Sequence, residues 1–350
     1  MKFSLFLHME RLDQSQSYQQ LHDEFVQLAK MADTGGMHAI WTGEHHGMDF
    51  TIAPNPFLNL VDLAHHTKNV RLGTGTIIAP FWHPIKLAGE AAMSDILTQG
   101  RLDLGIARGA YNFEYERLMP GMDAMEAGGR MRELVPAVQK LWQGDYVHDG
   151  KYSQFPATTS APKPLQAGGV PMWIAARDPN SHNFAVENGC NVQVTPLWMG
   201  IAEIESLMQR FQDAKANHPK DKNGNDTNPK ILLLQHTYVG KDEADLVEAA
   251  KCISRFYCYF GSWFKNERPI QQGQIQPLSE DEMAKMEMYA PEKMRENMPI
   301  GTPDQVIRKL KHYEQLGYDE FAFWIDSSMS FEQKRDSLRR FIDEVMPAFA

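Results

Sequence analysis

A glutamate and two adjacent histidines, Glu44, His45 and His46, follow the apolar run that begins at His38 and stand just before Gly47. An imidazole exchanges protons near neutral pH, so a histidine here can act as a general acid or base, with the carboxylate orienting it. Three readings compete for the triplet: a metal site, proton handling, and hydrogen-bonded packing in a loop. Adjacent residues on an extended segment point to opposite sides, so His45 and His46 are badly placed to hold one ion together. Neither HxH nor HExxH occurs near another strand end, and no metal is expected. The other two readings stay open, and only one of the two histidines can face a given ligand.

Further reactive or charged groups recur at the ends of other apolar runs. Gly105 to Tyr115 carries Arg108, Tyr111, Asn112 and Glu114, and Ala175 to Ser181 carries Arg177, Asp178 and Ser181. The latter opens a helix, whose first N–H groups and positive dipole end suit an anion. Gly73 to Ile78, "GTGTII", matches only half of a dinucleotide fingerprint, and Walker A and GxSxG patterns are missing.

The elements that must position these groups alternate along the whole chain. Strands are expected at "KFSLFLH", "HAIWTGE", "VRLGTGTII", "RLDLGIAR", "PMWIAAR", "CNVQVTP", "KILLLQHTYV" and "EFAFWID", each followed by a segment of helical period. The strands are nearly continuous in apolar residues, as strands buried on both faces are. Eight such units predict an α/β fold of the (β/α)8 TIM-barrel class, a single domain over residues 1–350, with its chemistry at the C-terminal strand ends. The helix "ADLVEAAKCISRFYCYF" is taken as the partner of the seventh strand. Two stretches break the rhythm: Val147 to Pro171, rich in Pro, Gly and Thr, and the polar Gly261 to Pro303, expected to be a mobile lid before the last unit.

With 43% hydrophobic and 23% charged residues and a net charge of −10, the chain is an ordinary globular protein without the basic stripe of a nucleic-acid binder. It carries no run long enough for a membrane span and no secretory signal, so a cytoplasmic location is expected. Cys190, Cys252 and Cys258 form no CxxC pair and read as free thiols.

Together, "KFSLFL", "IWTGEHH", "NPFL", "RLGTGTIIAPFWHP", "GRLDLGIARGAYNFEY", "PMWIAARDPNS" and "GTPDQV" resemble, in order and spacing, the bacterial luciferase-like flavin-dependent monooxygenases. The resemblance implies a barrel that takes reduced FMN from a separate NAD(P)H-dependent flavin reductase. It further implies reaction with O2 to a flavin C4a-(hydro)peroxide and oxygenation of a small apolar substrate such as an aldehyde or ketone. By motif position His45 resembles the family's acid/base histidine, with Glu44 shaping its pocket. Arg108 resembles an arginine on the FMN phosphate and Arg130 a second one. Ala176, Arg177, Asp178 and Ser181 resemble the phosphate turn. Gly75 and Thr76 fall where the family has a non-prolyl cis peptide against the flavin ring, and Ala107 replaces the luciferases' reactive cysteine.

His46, Phe81, Trp82, Tyr111, Glu114 and Trp198 are the candidate substrate wall, with Met37, Met48 and Phe50 as further apolar candidates. The alternatives are a deazaflavin-dependent hydride-transferring oxidoreductase and a flavin-binding protein without turnover. The family also implies a homodimer or a heterodimer of related subunits.

Overall fold

The structure, a computed structural model, describes residues 1–11 and 13–349. Eight parallel strands form the centre: β1 (Lys2–Phe6), β2 (Ala39–Thr42), β3 (Arg71–Thr74), β4 (Leu102–Ala107), β5 (Met172–Ala175), β6 (Asn191–Val194), β7 (Ile231–His236) and β8 (Glu320–Trp324). They pair in chain order, β8 returns to β1, and Met172 to Ile174 of β5 pair with Leu104 to Ile106 of β4, so the sheet closes without an edge. The eight expected strands are all present.

The outer layer is built from α1 (Tyr18–Thr34), α2 (Pro56–His66), α3 (Pro84–Leu97), α5 (Ala124–Gln143), α6 (Pro179–Glu187), α7 (Ile201–Asn217), α11 (Pro303–Leu316) and α12 (Phe331–Arg340). Local chemistry sets their starts. Ser17, Asn55 and Asp178 each accept a hydrogen bond from a first-turn N–H, and Pro56 and Pro179 occupy first-turn positions where no donor is needed. Between these lie α4 (Asn112–Leu118), α8 (Glu243–Lys265), α9 (Glu280–Ala284) and α10 (Pro291–Asn297).

The structure corrects the expected partner of the seventh strand. Its outer-layer helix is α11, opened by a Thr302–Gln305 capping box and closed by Gly317 at φ 105°. The "ADLVEAAKCISRFYCYF" segment is instead α8, whose Phe256, Tyr257 and Trp263 pack with Phe6, Trp41 and Trp324 in a core inside and above the barrel. Gly261 to Pro303 is largely built from defined elements: the end of α8, a hairpin Ile270–Gln271/Gln274–Ile275, α9, α10 and a two-residue strand at Ile300–Gly301 paired to Tyr238–Val239. The hairpin docks on the loop after β2, with the Asp49 N–H donating to Gly273 O at 2.7 Å. Val147 to Pro171 contains most of a hairpin, Tyr146–Asp149 against Gln154–Thr158.

Side chains alternate along each strand. Leu5, Ile40, Leu72, Leu104, Ile174, Leu233 and Phe321 face the helices, while Phe6, Trp41, Trp173, Leu232 and Ala322 face inward. The interior holds Trp41 edge-on to Trp173, ring centres 5.4 Å apart. A Cβ on Gly73 would stand 2.1 Å from the Trp41 ring, so this glycine is required by the indole and not by a turn. Gly73→Ala should therefore lower unfolding stability by roughly 1–3 kcal/mol in urea titrations, the usual cost of overpacking.

Glu320 lies at the other end of the barrel interior, where its Oε1 accepts from Ser4 Oγ and, at 3.1 Å, from Trp41 Nε1. Burial pushes its carboxyl up to about 7 from 4.5. A raised folded-state value means that stability is fully present below pH 4.5 and is lost as pH rises through 7. Glu320→Gln keeps an acceptor for both donors and removes the ionisation. Relative to wild type it should gain stability progressively across that window, reaching about 3 kcal/mol above it. Parallel thermal melts at low and high pH check this; a constant offset between the two proteins would contradict it.

Candidate active site at the C-terminal mouth of the barrel

The triplet occupies the loop after β2. The His45 N–H donates to Ala53 O at 2.8 Å, which pins the loop to the segment entering α2. Glu44 is 3% exposed and its carboxylate is fully engaged: Oε2 accepts from the Ile78 N–H at 2.7 Å and Trp82 Nε1 at 2.9 Å, and Oε1 stands 2.7 Å from His46 Nε2. A buried carboxylate that meets three donors is stable where an unmet one is costly. The hydrogen bond to Glu44 raises the His46 imidazole above its ordinary value, with burial opposing it. Glu44 thus ties the β2 and β3 loops together and acts through other groups.

The two histidines diverge, as strand alternation demands. His46 packs edge-on against Phe81, centres 5.5 Å apart, while His45 lies beside Tyr111 at 5.4 Å and His8 at 5.8 Å. His45 Nδ1 is 3.5 Å from Glu114 Oε2. His8 is held from both sides, with Nδ1 3.0 Å from Asp326 Oδ2 and Nε2 accepting from the Gly43 N–H at 3.0 Å. An acceptor role at Nε2 places the proton of neutral His8 on Nδ1, towards Asp326. The phenol of Tyr111 is pushed well above its usual value, first by burial and then by Glu114.

Beside this edge lies a cavity of about 220 Å³ whose walls include Phe6, Trp41, Gly75, Thr76, Ala176 and Leu234. The Gly75–Thr76 peptide is cis, as the resemblance implies. Ala175 and Arg177 also line a second cavity, of about 260 Å³, between the mouth and α5, with Arg108, Gly128, Arg132, Asp178 and Ser181. Among the described residues, neither Arg108 nor Arg132 has a carboxylate within 4.0 Å. The site therefore joins an apolar cleft to a basic recess.

Several expected residues are differently placed. Arg130 lines a separate cavity with Phe81, Trp82 and Tyr152, and pairs with Glu126 at 2.7 Å. Arg132 lines the recess instead, since two residues turn a helix by about 200°. At the start of α6 the carboxylate of Asp178 accepts from the Asn180 and Ser181 N–H groups, and Ser181 Oγ donates to Asp178 O at 2.7 Å. Burial raises the Asp178 carboxyl, but these hydrogen bonds outweigh it and leave it below the usual range. The local donors are thus already capped, and the guanidinium groups are what the recess offers an anion.

Ala107 ends β4 beside Ile78, within the same mouth. Trp82 is turned toward Glu44, Trp198 packs on Tyr257 and Tyr289 on the α8 side, and Met37 belongs to the outer core. Met48 and Phe50 belong to the inner one. His8, Asp326 and Arg132 went unrecognised in the sequence. The position of His8 and Asp326 just after apolar strands was the available signal.

Among the described residues no three His, Cys, Asp or Glu side chains are grouped to hold a metal, and no helix is long and apolar enough to cross a membrane. Residues 1–320 match the model of the family described as luciferase-like monooxygenase. The chain is 61% identical over 350 residues to the oxygenase component of the flavin-dependent trigonelline monooxygenase of Acinetobacter baylyi, covering 100% of this chain and 96% of that one. Its structure is similar to the monooxygenase RslO1 from Streptomyces bottropensis, with TM-score 0.82, 25% identity and full coverage of both chains. It also resembles the oxygenating constituent of 3,6-diketocamphane monooxygenase from Pseudomonas putida, a type II Baeyer–Villiger enzyme solved with FMN, at TM-score 0.75 and 20% identity over 99% of this chain and 98% of that one. The chain belongs to the luciferase-like monooxygenases and is a flavin-dependent enzyme of that family.

Proposed function

We propose that this chain is the oxygenase of a two-component system, binding reduced FMN from a separate NAD(P)H-dependent flavin reductase and using O2 to oxygenate a small organic molecule in the cytoplasm. The observation that carries the reading is the apolar cleft that shares Ala175 and Arg177 with the basic recess. A flat ring fits the first and a phosphate the second, so the residues present suit FMN. When bound, reduced FMN supplies the oxygen-activating chemistry.

The chain's own groups divide the remaining work. Arg108, Arg132 and Arg177 anchor the phosphate, charge-assisted donors being the strong ones. Gly75, Thr76, Ala107 and Ala176 let the ring approach closely, and Phe6 and Trp41 close the cleft from below. His45 exchanges the proton at its imidazole, and Glu44 fixes the loop that presents it. Tyr111 and Glu114 border the substrate on the His45 side. Segment 261–303 acts as a lid, sealing the mouth from water through its contact with Asp49. A dimer would use α2 and α3, where Leu58, Met93 and Leu97 are exposed.

The relative at 61% identity supports trigonelline, an N-methylated pyridinium carboxylate, as the substrate in preference to an aldehyde or ketone. Purified protein supplied with chemically reduced FMN, trigonelline and ¹⁸O₂ should form a product carrying one labelled oxygen. Tight binding of a deazaflavin without oxygen incorporation would overturn the reading. His45→Ala should retain FMN binding while losing product formed per O2 consumed. Arg108→Ala should weaken FMN affinity by about tenfold or more, the scale of a lost charged hydrogen bond. Reversed behaviour of the two variants would exchange their roles.

A further inference from the structure

Glu114 is 1% exposed and engages only one of its oxygens, Oε1 accepting from the His46 N–H at 2.7 Å. Its Oε2 has no hydrogen-bond partner, and neither does the His45 Nδ1 that faces it at 3.5 Å. Among the described residues no lysine or arginine comes within 4.0 Å of this carboxylate, and His45 is its one ionic neighbour. Glu44 and Asp326, further buried carboxylates of the mouth, are occupied by His46, Ile78 and Trp82 and by His8 and Trp324 respectively. Removing a carboxylate from water costs several kcal/mol unless positive charge or donors meet it. Among the described residues, the mouth therefore buries a carboxylate that no lysine or arginine meets within 4.0 Å.

Aromatic rings cluster between solvent and His45, the neighbour of this carboxylate. Phe264 is 53% exposed, its ring centre lies 6.3 Å from that of Tyr111, Phe260 lies at 5.9 Å from the same ring, and Tyr111 abuts His45. Ring faces carry negative potential and attract cations, more strongly where water is excluded. These rings pack edge-on to one another and to His45, beside a carboxylate oxygen without a partner, and such surroundings favour a flat cation over a neutral ring.

We propose that Glu114, walled by Tyr111, is the counter-charge by which this site selects a substrate whose aromatic ring carries a permanent positive charge. The inference rests on the reading of the chain as a trigonelline-type oxygenase and names the residue that makes the ring's charge count. Competition from His45 does not remove the need, since 3.5 Å exceeds a good N–H···O distance.

The test compares trigonelline with 3-methylbenzoate, which has the same outline with a carbon in place of the ring nitrogen. Calorimetric titration of the FMN-loaded full chain should show a preference for trigonelline of about tenfold or more, the scale of one charge pair in a partly screened site. In Glu114→Gln, which retains an acceptor for the His46 N–H, that preference should collapse while the affinity for 3-methylbenzoate stays within about twofold. Glu114→Asp, which keeps the charge, should retain most of it. Equal weakening of both ligands in Glu114→Gln would mark Glu114 as merely structural and overturn the proposal. Should wild type bind and oxygenate trigonelline with the same preference as Glu114→Gln, the counter-charge alone falls. If wild type binds neither ligand, the substrate reading falls and takes this assignment with it.

Discussion

Closure of the sheet between β4 and β5 is the constraint on which the rest depends. Because each strand is paired on both sides, there is no edge, and a hollow interior would leave the inward face without partner atoms. Side chains must fill it, and here two indoles do so, with Gly73 giving way to one of them. The filling stops short at the C-terminal end, where small residues at Gly75, Thr76, Ala175 and Ala176 replace bulky ones. The cleft of the candidate site is the unfilled top of the same packing problem.

The groups around that cleft are organised by a division between satisfied and unsatisfied charge. Glu44 and Asp326 are each met by several donors and serve as braces between loops, while Asp178 caps its own helix. Arg108 and Arg132 on one side, and Glu114 on the other, lack charged partners of fixed sign. Buried or clustered charges of this kind are expensive in isolation, and they are found where a ligand will complete them. The polarity of the site, cationic towards the recess and anionic towards His45, follows from which charges the fold leaves unanswered.

Much of this was legible in the sequence. The strand pattern, the "EHH" triplet after β2 and the arginine at the end of β4 follow from rules that relate apolar period and strand ends to position. The readings that needed revision depended on phase or distance. Arg130 and Arg132 differ by two residues, yet helical rotation carries them to separate cavities. The α11 helix was hidden because its capping signals adjoin a long polar stretch, and α8 looks like an outer-layer helix because it is amphipathic, its apolar face being turned to the barrel mouth only by the tertiary packing. Ser181 looks like a free donor until Asp178 is seen to have engaged it.

By itself the sequence determined the fold class and the membership and singled out the loop after β2, because hydrophobic period and short motifs are local properties of the chain. It also determined that His45 and His46 face different ways, since alternation is built into an extended backbone. Only the tertiary structure decided which neighbours each acquires: His45 meets His8, Tyr111 and Glu114, and His46 meets Glu44 and Phe81. His8 and Asp326 are 318 residues apart in the chain, and no local rule can bring such groups together. Barrel closure does, by setting the ends of β1 and β8 side by side.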